Sequence, residues 1–283
     1  MTAPGLGDNT AARAKMGSKL WILRLGKTEG DAAWFIQGAN NSTVSEPRPE
    51  HQRLTVNMMA ALVEHPDGGL FLYDVGSAPD PVNQWGPEFC DAFPWIEYGD
   101  ESRLDHAVEA TGHRLEEVSG VIISHLHLDH AGGLEFFRSM DVPVYVHRDE
   151  LEYAFYAVAT KVDGNYQSHY LDPSFNWQVI EGDELELASG LTVHHTPGHT
   201  PGLMGLLLDL SDTGPQYFAS DQFIFKENLL DSRPLGWLMG DADAWTRSSR
   251  KIKRLVERTG ATVIFGHDGI TLERLAPAPE FHQ

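Results

Sequence analysis

The segment SHLHLDHAGG, from Ser124 to Gly133, places three histidines and one aspartate within six consecutive residues. It follows the apolar run Val121–Ile123, which is typical of a buried strand. Three buried imidazoles in one loop would be costly polar groups without a bound cation, so this density of ligands predicts a metal site. The four candidate ligands are His125, His127, Asp129 and His130.

Three further candidate ligands follow apolar runs elsewhere in the chain. They are His199, Asp221 and His267, which come after the runs Leu191–His195, Tyr217–Ala219 and Val263–Phe265. Side chains at one end of neighbouring strands can converge on one point and are held there by the rigid sheet. The sequence therefore predicts one shared site built from four strand ends.

The predicted site contains five histidines and two aspartates. Imidazole and carboxylate ligands suit zinc, iron(II), cobalt or manganese, and the absence of sulfur disfavours a purely structural zinc. Seven ligands are too many for one tetrahedral ion but fit two ions with one bridging carboxylate. A two-metal site lowers the pKa of a bound water and polarises a substrate oxygen, which is the chemistry of hydrolysis.

The remaining histidines are not predicted to bind metal. His194 and His195 lie inside a strand-like run, where neighbouring side chains point to opposite faces. His147 follows Val144–Val146 and either supports the ligands from outside or caps its strand.

Strand-like and helical runs alternate along the chain, without a repeat or a flexible linker. The pattern predicts one domain, residues 20–283, in which mixed sheets carry outer helices. Residues 1–19 form a polar arm, and the turn His65–Gly69 joins two strands as a hairpin. Helices are predicted at Asp100–Ala110, Glu150–Val158 and Asp243–Arg258, the last ending at Gly260 as a C-cap.

Composition excludes several classes of protein. The net charge is −20, from 41 acidic and 21 basic residues, which argues against nucleic acid or an anionic membrane as a partner. The chain has no apolar run near the ~18 residues of a membrane span, and its N-terminus lacks the apolar core of a signal peptide. Cys90 is the single cysteine, so no intrachain disulfide can form, and a cytoplasmic location is expected.

With these motifs, the sequence resembles the metallo-β-lactamase superfamily over roughly residues 20–270. The HxHxDH loop, His199, Asp221 and His267 occur in the family's order, and Asp74 matches an early strand-ending aspartate that orients the site. The resemblance implies an αββα sandwich, with two mixed β-sheets flanked by helices, two zinc-type ions and hydrolase activity.

The resemblance also implies a role for each ligand. One group, His125, His127 and His199, holds the first ion, and Asp129, His130 and His267 hold the second. Asp221 bridges the two ions. Asp129 is the expected catalytic residue, which takes a proton from the attacking hydroxide and returns it to the leaving alkoxide.

Within the superfamily, the chain is most similar to the N-acyl homoserine lactonases and related esterases. The loop SHLHLDHAGGLE, the element Phe93–Trp95 and the ending Phe265–Asp268 carry this likeness. The lactonases have a tyrosine three residues after the bridging aspartate, where this chain has Ile224. Isoleucine cannot donate a hydrogen bond, and losing one such donor typically costs on the order of 100-fold in rate.

This departure leaves the substrate open among an N-acyl homoserine lactone, an aryl lactone, an activated ester and an organophosphate. A metal-binding protein without activity is a further alternative. The expected substrate contacts are Trp34, Met58, Phe223, Ile224, Tyr166 and Tyr170, with either tyrosine as a substitute donor. Residues 151–177 are predicted to form a helical, aromatic-rich cover, which either packs the core, roofs the pocket or forms part of a homodimer interface.

Overall fold

The computed structural model of the protein describes residues 17–283. Of the polar arm predicted over residues 1–19, residues 1–16 lie outside the described residues. The first strand begins at Lys19, close to the predicted start of the domain. Among the described residues, no helix has the length and apolar character that crossing a membrane requires.

Seven strands form the first sheet. They are β1 (Lys19–Asp31), β2 (Arg53–His65), β3 (Gly69–Tyr73), β4 (Trp95–Glu97), β5 (Val118–Ile122), β6 (Pro143–His147) and β7 (Asn176–Ile180). Their order is β4-β1-β2-β3-β5-β6-β7. The pairs among β4, β1, β2 and β3 are antiparallel, and the pairs from β3 to β7 are parallel. The predicted hairpin is confirmed, with His65 opposite Gly69.

Five strands form the second sheet. They are β8 (Glu184–Ala188), β9 (Leu191–His195), β10 (Met204–Leu208), β11 (Gln216–Phe218) and β12 (Thr262–Ile264). Their order is β12-β11-β10-β9-β8, in which only β11 and β12 are parallel. Both sheets are therefore mixed, as predicted.

The two sheets pack face to face, and helices cover their outer faces. Leu20 and Ile22 of β1 point into a core shared with Val193 and Leu206 of the second sheet. The alternate β1 residues, such as Leu23, belong to a second core that includes helical side chains. Since both faces of β1 are buried, the order of layers is helix, sheet, sheet, helix, which is the predicted αββα sandwich.

Eight α-helices connect or cover the strands of the described part. They are α1 (Ala32–Phe35), α2 (Pro81–Ala92), α3 (Leu104–Glu109), α4 (Leu128–Ala131), α5 (Arg148–Thr160), α6 (Lys226–Leu230), α7 (Ala242–Thr259) and α8 (Gly269–Arg274). The predicted C-cap is confirmed at Gly260, whose φ of 71° is left-handed.

The predicted helical cover over residues 151–177 is only partly helical. Helix α5 ends at Thr160, residues 161–175 contain no helix, and Trp177 lies in β7. Gly164 and the polar residues around it favour turns, so the helix does not continue through this segment.

Candidate metal centre

The ends of four strands meet at one edge of the sandwich. The loop after β5 carries His125 and His127, and α4 follows at once with Asp129 and His130. The loops after β9, β11 and β12 supply the other three candidate ligands, His199, Asp221 and His267. The first sheet and the second sheet therefore both contribute to the site.

His125, His127 and His199 form one group, in which a ligand atom of each lies within 4.8 Å of the others. His199 Nε2 lies 3.0 Å from His127 Nδ1. All three side chains are buried. Burial is the main cause that lowers the pKa of each imidazole, so these residues stay neutral and keep a lone pair for a cation.

Asp129, His130 and His267 form a second group with the same close spacing. His130 Nε2 is 3.2 Å from His267 Nε2, and Asp129 Oδ2 is 3.7 Å from both nitrogens.

Asp221 lies between the two groups. Its Oδ1 is 3.0 Å from His267 Nε2 and 3.4 Å from His130 Nε2, while its Oδ2 is 3.5 Å from His199 Nε2. One carboxylate oxygen thus faces each group, which is the arrangement of a bridging ligand.

The outer ring nitrogens of the histidines are held by fixed partners. His199 Nδ1 donates to the Leu238 carbonyl at 2.8 Å, and His267 Nδ1 donates to the Asn57 carbonyl at 3.0 Å. Because carbonyls only accept, the proton must be on Nδ1, and the lone pair of Nε2 points to the centre of the site. Such partners orient metal-binding imidazoles in general.

Asp74 holds the HxHxDH loop from behind. Its Oδ2 is 2.8 Å from His130 Nδ1, and its two oxygens also accept from the Ser124 N–H at 2.7 Å and the Ser124 hydroxyl at 2.8 Å. Asp74 has a φ of 59°, an uncommon conformation for a residue other than glycine. The strain indicates that the position of this carboxylate is constrained by the site that it supports.

The donor set fits divalent cations. Nε2 of His130, Nε2 of His267 and Oδ1 of Asp221 lie 3.0 to 3.4 Å from one another, so three potential ligand atoms face one point. His125 Nε2 and Asp221 Oδ1 are buried without a hydrogen-bond partner among the described residues. Buried polar atoms of this kind require an explanation, and a bound cation would supply it.

The pKa shifts of His130 and Asp221 also indicate a site that favours positive charge. Burial lowers the pKa of His130, but Asp129, Asp221 and Asp74 together raise it well above its usual value. Burial raises the pKa of Asp221, yet His267 and His130 hold it well below the usual range. The carboxylate is therefore ionised and favours cations beside it.

Two adjoining cavities open at the candidate metal centre. An outer cavity of about 490 Å³ is lined by Trp34, Tyr166 and Trp237, among others. An inner chamber of about 50 Å³ is lined by Asp129, Asp221 and His267 and by apolar side chains. The two share a set of lining residues, which are His127, Asn165, His199 and Leu238. The cavities therefore meet beside both groups of ligands.

Three of the predicted substrate contacts lie at these cavities. Trp34 and Tyr166 line the outer cavity, and Met58 lines the inner chamber. The hydroxyl of Tyr166 donates to Glu150 Oε1 at 3.0 Å, so it is not free for a substrate.

The other three predicted contacts lie away from both cavities, because Tyr170, Phe223 and Ile224 have no exposed surface and line neither of them. The Tyr170 hydroxyl donates to the Leu126 carbonyl at 2.8 Å. The carbonyls of Phe223 and Ile224 accept the N–H groups of Gly266 and His267, and this pairing places both side chains in the core.

Sequence reasoning missed Glu150. Its carboxylate has no exposed surface and accepts the N–H of Leu126 at 2.8 Å and of Gly202 at 3.0 Å. It thereby joins the HxHxDH loop to the loop that carries His199. Burial raises its pKa in spite of these donors. A buried acid at the start of an amphipathic helix gave no motif by which to find it.

Asn165 was also missed. Its carbonyl accepts the Leu128 N–H at 3.0 Å, next to two predicted ligands, and its side-chain nitrogen donates to Asp163 Oδ1 at 2.8 Å. The amide nitrogen carries two hydrogens, so one remains for a molecule in the cavities. The residue lies in an irregular segment, where sequence spacing predicts no contact.

Close packing explains two of the glycines near the candidate ligands. A Cβ on Gly133 would lie 2.1 Å from the Val75 carbonyl oxygen, and one on Gly202 would lie 2.3 Å from the Glu150 nitrogen. Neither glycine has a positive φ. The loops that carry the ligands therefore lie directly against their neighbours.

A third histidine–carboxylate group lies at the outer cavity but has unsuitable geometry. His147 and His195 stack in parallel at 3.7 Å beside Asp149. Parallel stacked rings do not direct their lone pairs to one point, and His195 Nε2 already donates to the Pro201 carbonyl. His147 accepts the Asp149 N–H and so caps the start of α5 rather than a strand.

Comparison with known proteins agrees with this geometry. Residues 59–267 match the family model described as the metallo-beta-lactamase superfamily. The chain is a member of the metallo-β-lactamase superfamily. This match includes every predicted ligand of the centre. The member described here is accordingly a metal-dependent hydrolase.

Individual relatives are lactonases. An N-acyl homoserine lactonase of Bacillus sp is 30% identical over 232 residues, which are 81% of this chain and 88% of the relative. A solved N-acyl homoserine lactone hydrolase with bound N-hexanoyl-L-homoserine has a TM-score of 0.80 and 24% identity, covering 94% and 99% of the two chains. AidC, described as a dizinc quorum-quenching lactonase, has a TM-score of 0.61 and 19% identity, covering 90% and 89%. This superfamily member is therefore lactonase-like.

Proposed function

We propose that this hydrolase opens a lactone ring at a centre of two divalent ions, with N-acyl homoserine lactone as the first candidate substrate. The observation that carries the proposal is Asp221, whose two oxygens face two separate groups of ligands. The lactonase relatives support the choice of substrate.

The residues divide between the two ions in a simple way. His125, His127 and His199 would hold one ion, Asp129, His130 and His267 the other, with Asp221 between them. Zinc is the proposed metal, in line with the dizinc relative, although iron, cobalt and manganese suit the same ligands. Two such ions supply an activated water at neutral pH and polarise a carbonyl oxygen.

Asp129 is the proposed proton carrier. Its side chain is 21% exposed, whereas that of Asp221 is 6% exposed, and it lines the inner chamber. Asp129 is thus the carboxylate that both the attacking water and the leaving alkoxide oxygen can reach. It accepts the proton of the first and donates it to the second.

Asn165 is the proposed donor to the substrate. Ile224 is enclosed and the hydroxyls of Tyr166 and Tyr170 are committed to protein acceptors. Asn165 lines both cavities, and only one of the two hydrogens on its amide nitrogen is used, in the bond to Asp163. Its hydrogen bond to a carbonyl oxygen would strengthen as negative charge develops there.

The inner chamber favours a second candidate substrate, an aryl lactone or aryl ester. Four aromatic side chains form part of its wall and would pack against a ring by edge or stacked contacts. These side chains are Phe35, Trp85, Phe89 and Phe93. An apolar acyl chain would contact the same side chains, so this surface suits either class.

The experiment compares initial rates of the zinc- or cobalt-loaded protein on a medium-chain N-acyl homoserine lactone and on an aryl lactone. Fast opening of the homoserine lactone supports the first proposal. Hydrolysis of the aryl lactone alone moves the substrate to the second class. Loss of turnover in His127→Ala, with unchanged circular dichroism, shows that the activity belongs to the centre. If neither lactone nor any activated ester reacts, the protein binds metal without catalysis and the proposal fails.

A further inference from the structure

Helix α7 concentrates positive charge in an acidic chain. Residues 247–258 contain six of the 21 basic residues and one acid, Glu257, while the net charge of the chain is −20. Four of the six lie on one face, at a spacing of four, three and four residues. They are Arg247, Lys251, Arg254 and Arg258.

These four side chains line a groove of about 400 Å³ between α7 and the second sheet. The opposite wall is formed by Glu184 of β8 and His194 of β9. The groove shares no lining residue with either cavity at the metal centre. It is therefore a separate concave surface, and its volume is in the range of small-molecule sites.

Lys251 is fixed, whereas the arginines have no protein partner. Lys251 Nζ donates to the carbonyls of Asp183 and His195 at 3.0 Å each, which ties α7 to the sheet. Within residues 17–283, the side chains of Arg247, Arg254 and Arg258 form no hydrogen bond or ion pair, although acidic residues outnumber basic ones two to one. Three guanidinium groups at one groove remain available for an anion.

His194 adds a buried, unpartnered nitrogen. Its side chain is 5% exposed, and its Nε2 has no hydrogen-bond partner among the described residues. Its Nδ1 lies 3.5 Å from Glu184, the only acid of the groove wall. Burial is the main cause that lowers the pKa of His194, and the charges of Lys251 and Arg258 lower it further against the opposing effect of Glu184.

We propose that this groove binds a small phosphate-bearing molecule, at a site separate from the metal centre. A planar guanidinium group can donate two parallel hydrogen bonds to a phosphate. A single carboxylate needs only one such group, whereas this groove offers three, so a phosphate is the better match. The negative charge over the rest of the chain opposes a long polyanion such as nucleic acid, whereas a compact anion inside the groove avoids that repulsion.

The test titrates the ¹⁵N-labelled, zinc-loaded protein with glycerol 3-phosphate in 150 mM sodium chloride, which screens weak surface attraction. The arginine Nε–Hε resonances report the binding site directly. We expect saturable shifts for Arg247, Arg254 and Arg258, with a dissociation constant of about 1 mM or below. Arg114 and Arg274, which do not line the groove, should not shift.

A matched pair of double variants separates the groove from the general charge of α7. Arg247→Ala/Arg254→Ala should weaken binding roughly tenfold for each arginine, because each charge-assisted contact is lost. Arg250→Ala/Lys253→Ala removes the same charge from the same helix but leaves the groove intact, and should change binding less than about threefold. Glu184→Gln should tighten binding, since it removes the one acid of the wall.

Either of two results would overturn the proposal. Equal weakening of binding in both double variants would mean that the anion is attracted by the general positive charge of α7 and not by the groove. An absence of saturable shifts at the groove arginines, with glycerol 3-phosphate up to about 10 mM, would mean that no site exists there. Thermal unfolding of each variant confirms that the comparison is made on folded protein.

Discussion

Four imidazoles of the centre, those of His125, His130, His199 and His267, have a hydrogen-bond partner outside the ligand set. The side chain of Asn165, in contrast, remains partly free. Its backbone carbonyl accepts hydrogen bonds from the Leu128 N–H and the Tyr170 hydroxyl. Its amide nitrogen donates one hydrogen to Asp163, and the other hydrogen has no acceptor among the described residues. A side chain held at its base and free at its tip suits contact with a substrate that must enter and leave.

Replacing Asn165 by alanine should lower kcat/KM for the lactone by about 10- to 100-fold, mainly through kcat, because the lost hydrogen bond strengthens in the transition state. Steady-state kinetics on the zinc-loaded variant measures this. Asn176→Ala on β7, which loses a hydrogen bond to Asp141 far from the cavities, is the matched control and should retain activity. An unchanged kcat in Asn165→Ala would remove this residue from the mechanism.

At the scale of elements, one buried side chain of α5 holds two ligand loops together. Glu150 accepts N–H groups from the loop after β5 and the loop after β9, and the hydroxyl of Tyr166 completes its contacts. These loops carry His125, His127 and His199, which form the first group of ligands. The spacing of that group therefore depends on a residue that is not itself a ligand.

Glu150→Gln should weaken zinc binding by about 10- to 100-fold, the usual effect of losing an outer partner of a metal site. The amide nitrogen of the new glutamine would face a loop N–H or the Tyr166 hydroxyl, which now donates to the carboxylate of Glu150. Two donors would then point at each other, which is repulsive. Competition with a chelator of known affinity gives the zinc dissociation constant. Glu152→Gln, on an exposed position of the same helix, should bind zinc as the natural protein does. Equal affinity in the two variants would show that the loops keep their spacing without Glu150.

Elements with a strong local pattern were predictable, and tertiary contacts were not. The apolar run Val121–Ile123 and the HxHxDH spacing depend on neighbouring residues, so the strand and the ligand cluster that follows it are predictable from the sequence. Strand β4 has three residues and β7 carries polar side chains, so neither has a clear period. The roles of Glu150 and Asn165, and the enclosure of Ile224, depend on residues far away in the chain.

At the scale of the whole molecule, the proposed ions would connect the two sheets. The seven-stranded sheet leads into four of the ligands and the five-stranded sheet into three. Chelation of zinc should lower the melting temperature by on the order of 10 °C, from the binding free energy lost and the size of the chain. Scanning calorimetry measures the shift. Zinc should restore the original value and magnesium, which prefers oxygen ligands, should not. A melting temperature that is unchanged when zinc is removed would argue against the proposed metal centre.

Stability should also depend on pH through His169, away from the centre. Two causes lower the pKa of His169 from 6.5 to about 4. The larger is burial, and the smaller is the positive charge of Arg138. Between these values the unfolded chain binds a proton that the folded chain does not, so the free energy of unfolding decreases as the pH falls. Urea unfolding at several pH values should show a shallower decrease for His169→Gln. His106→Gln, at an exposed position, should keep the original slope.

The enclosure of Ile224 has a consequence for how this chain could change over evolutionary time. Its carbonyl accepts the His267 N–H, and its side chain has no surface at the cavities. A mutation to the tyrosine of the similar lactonases would force a phenol into a filled core, at a cost of typically 1–3 kcal/mol or more. A tyrosine donor at this position is therefore not one substitution away. Neighbouring core residues would have to become smaller first, so the enclosed position leaves adaptation to residues at the cavities such as Asn165.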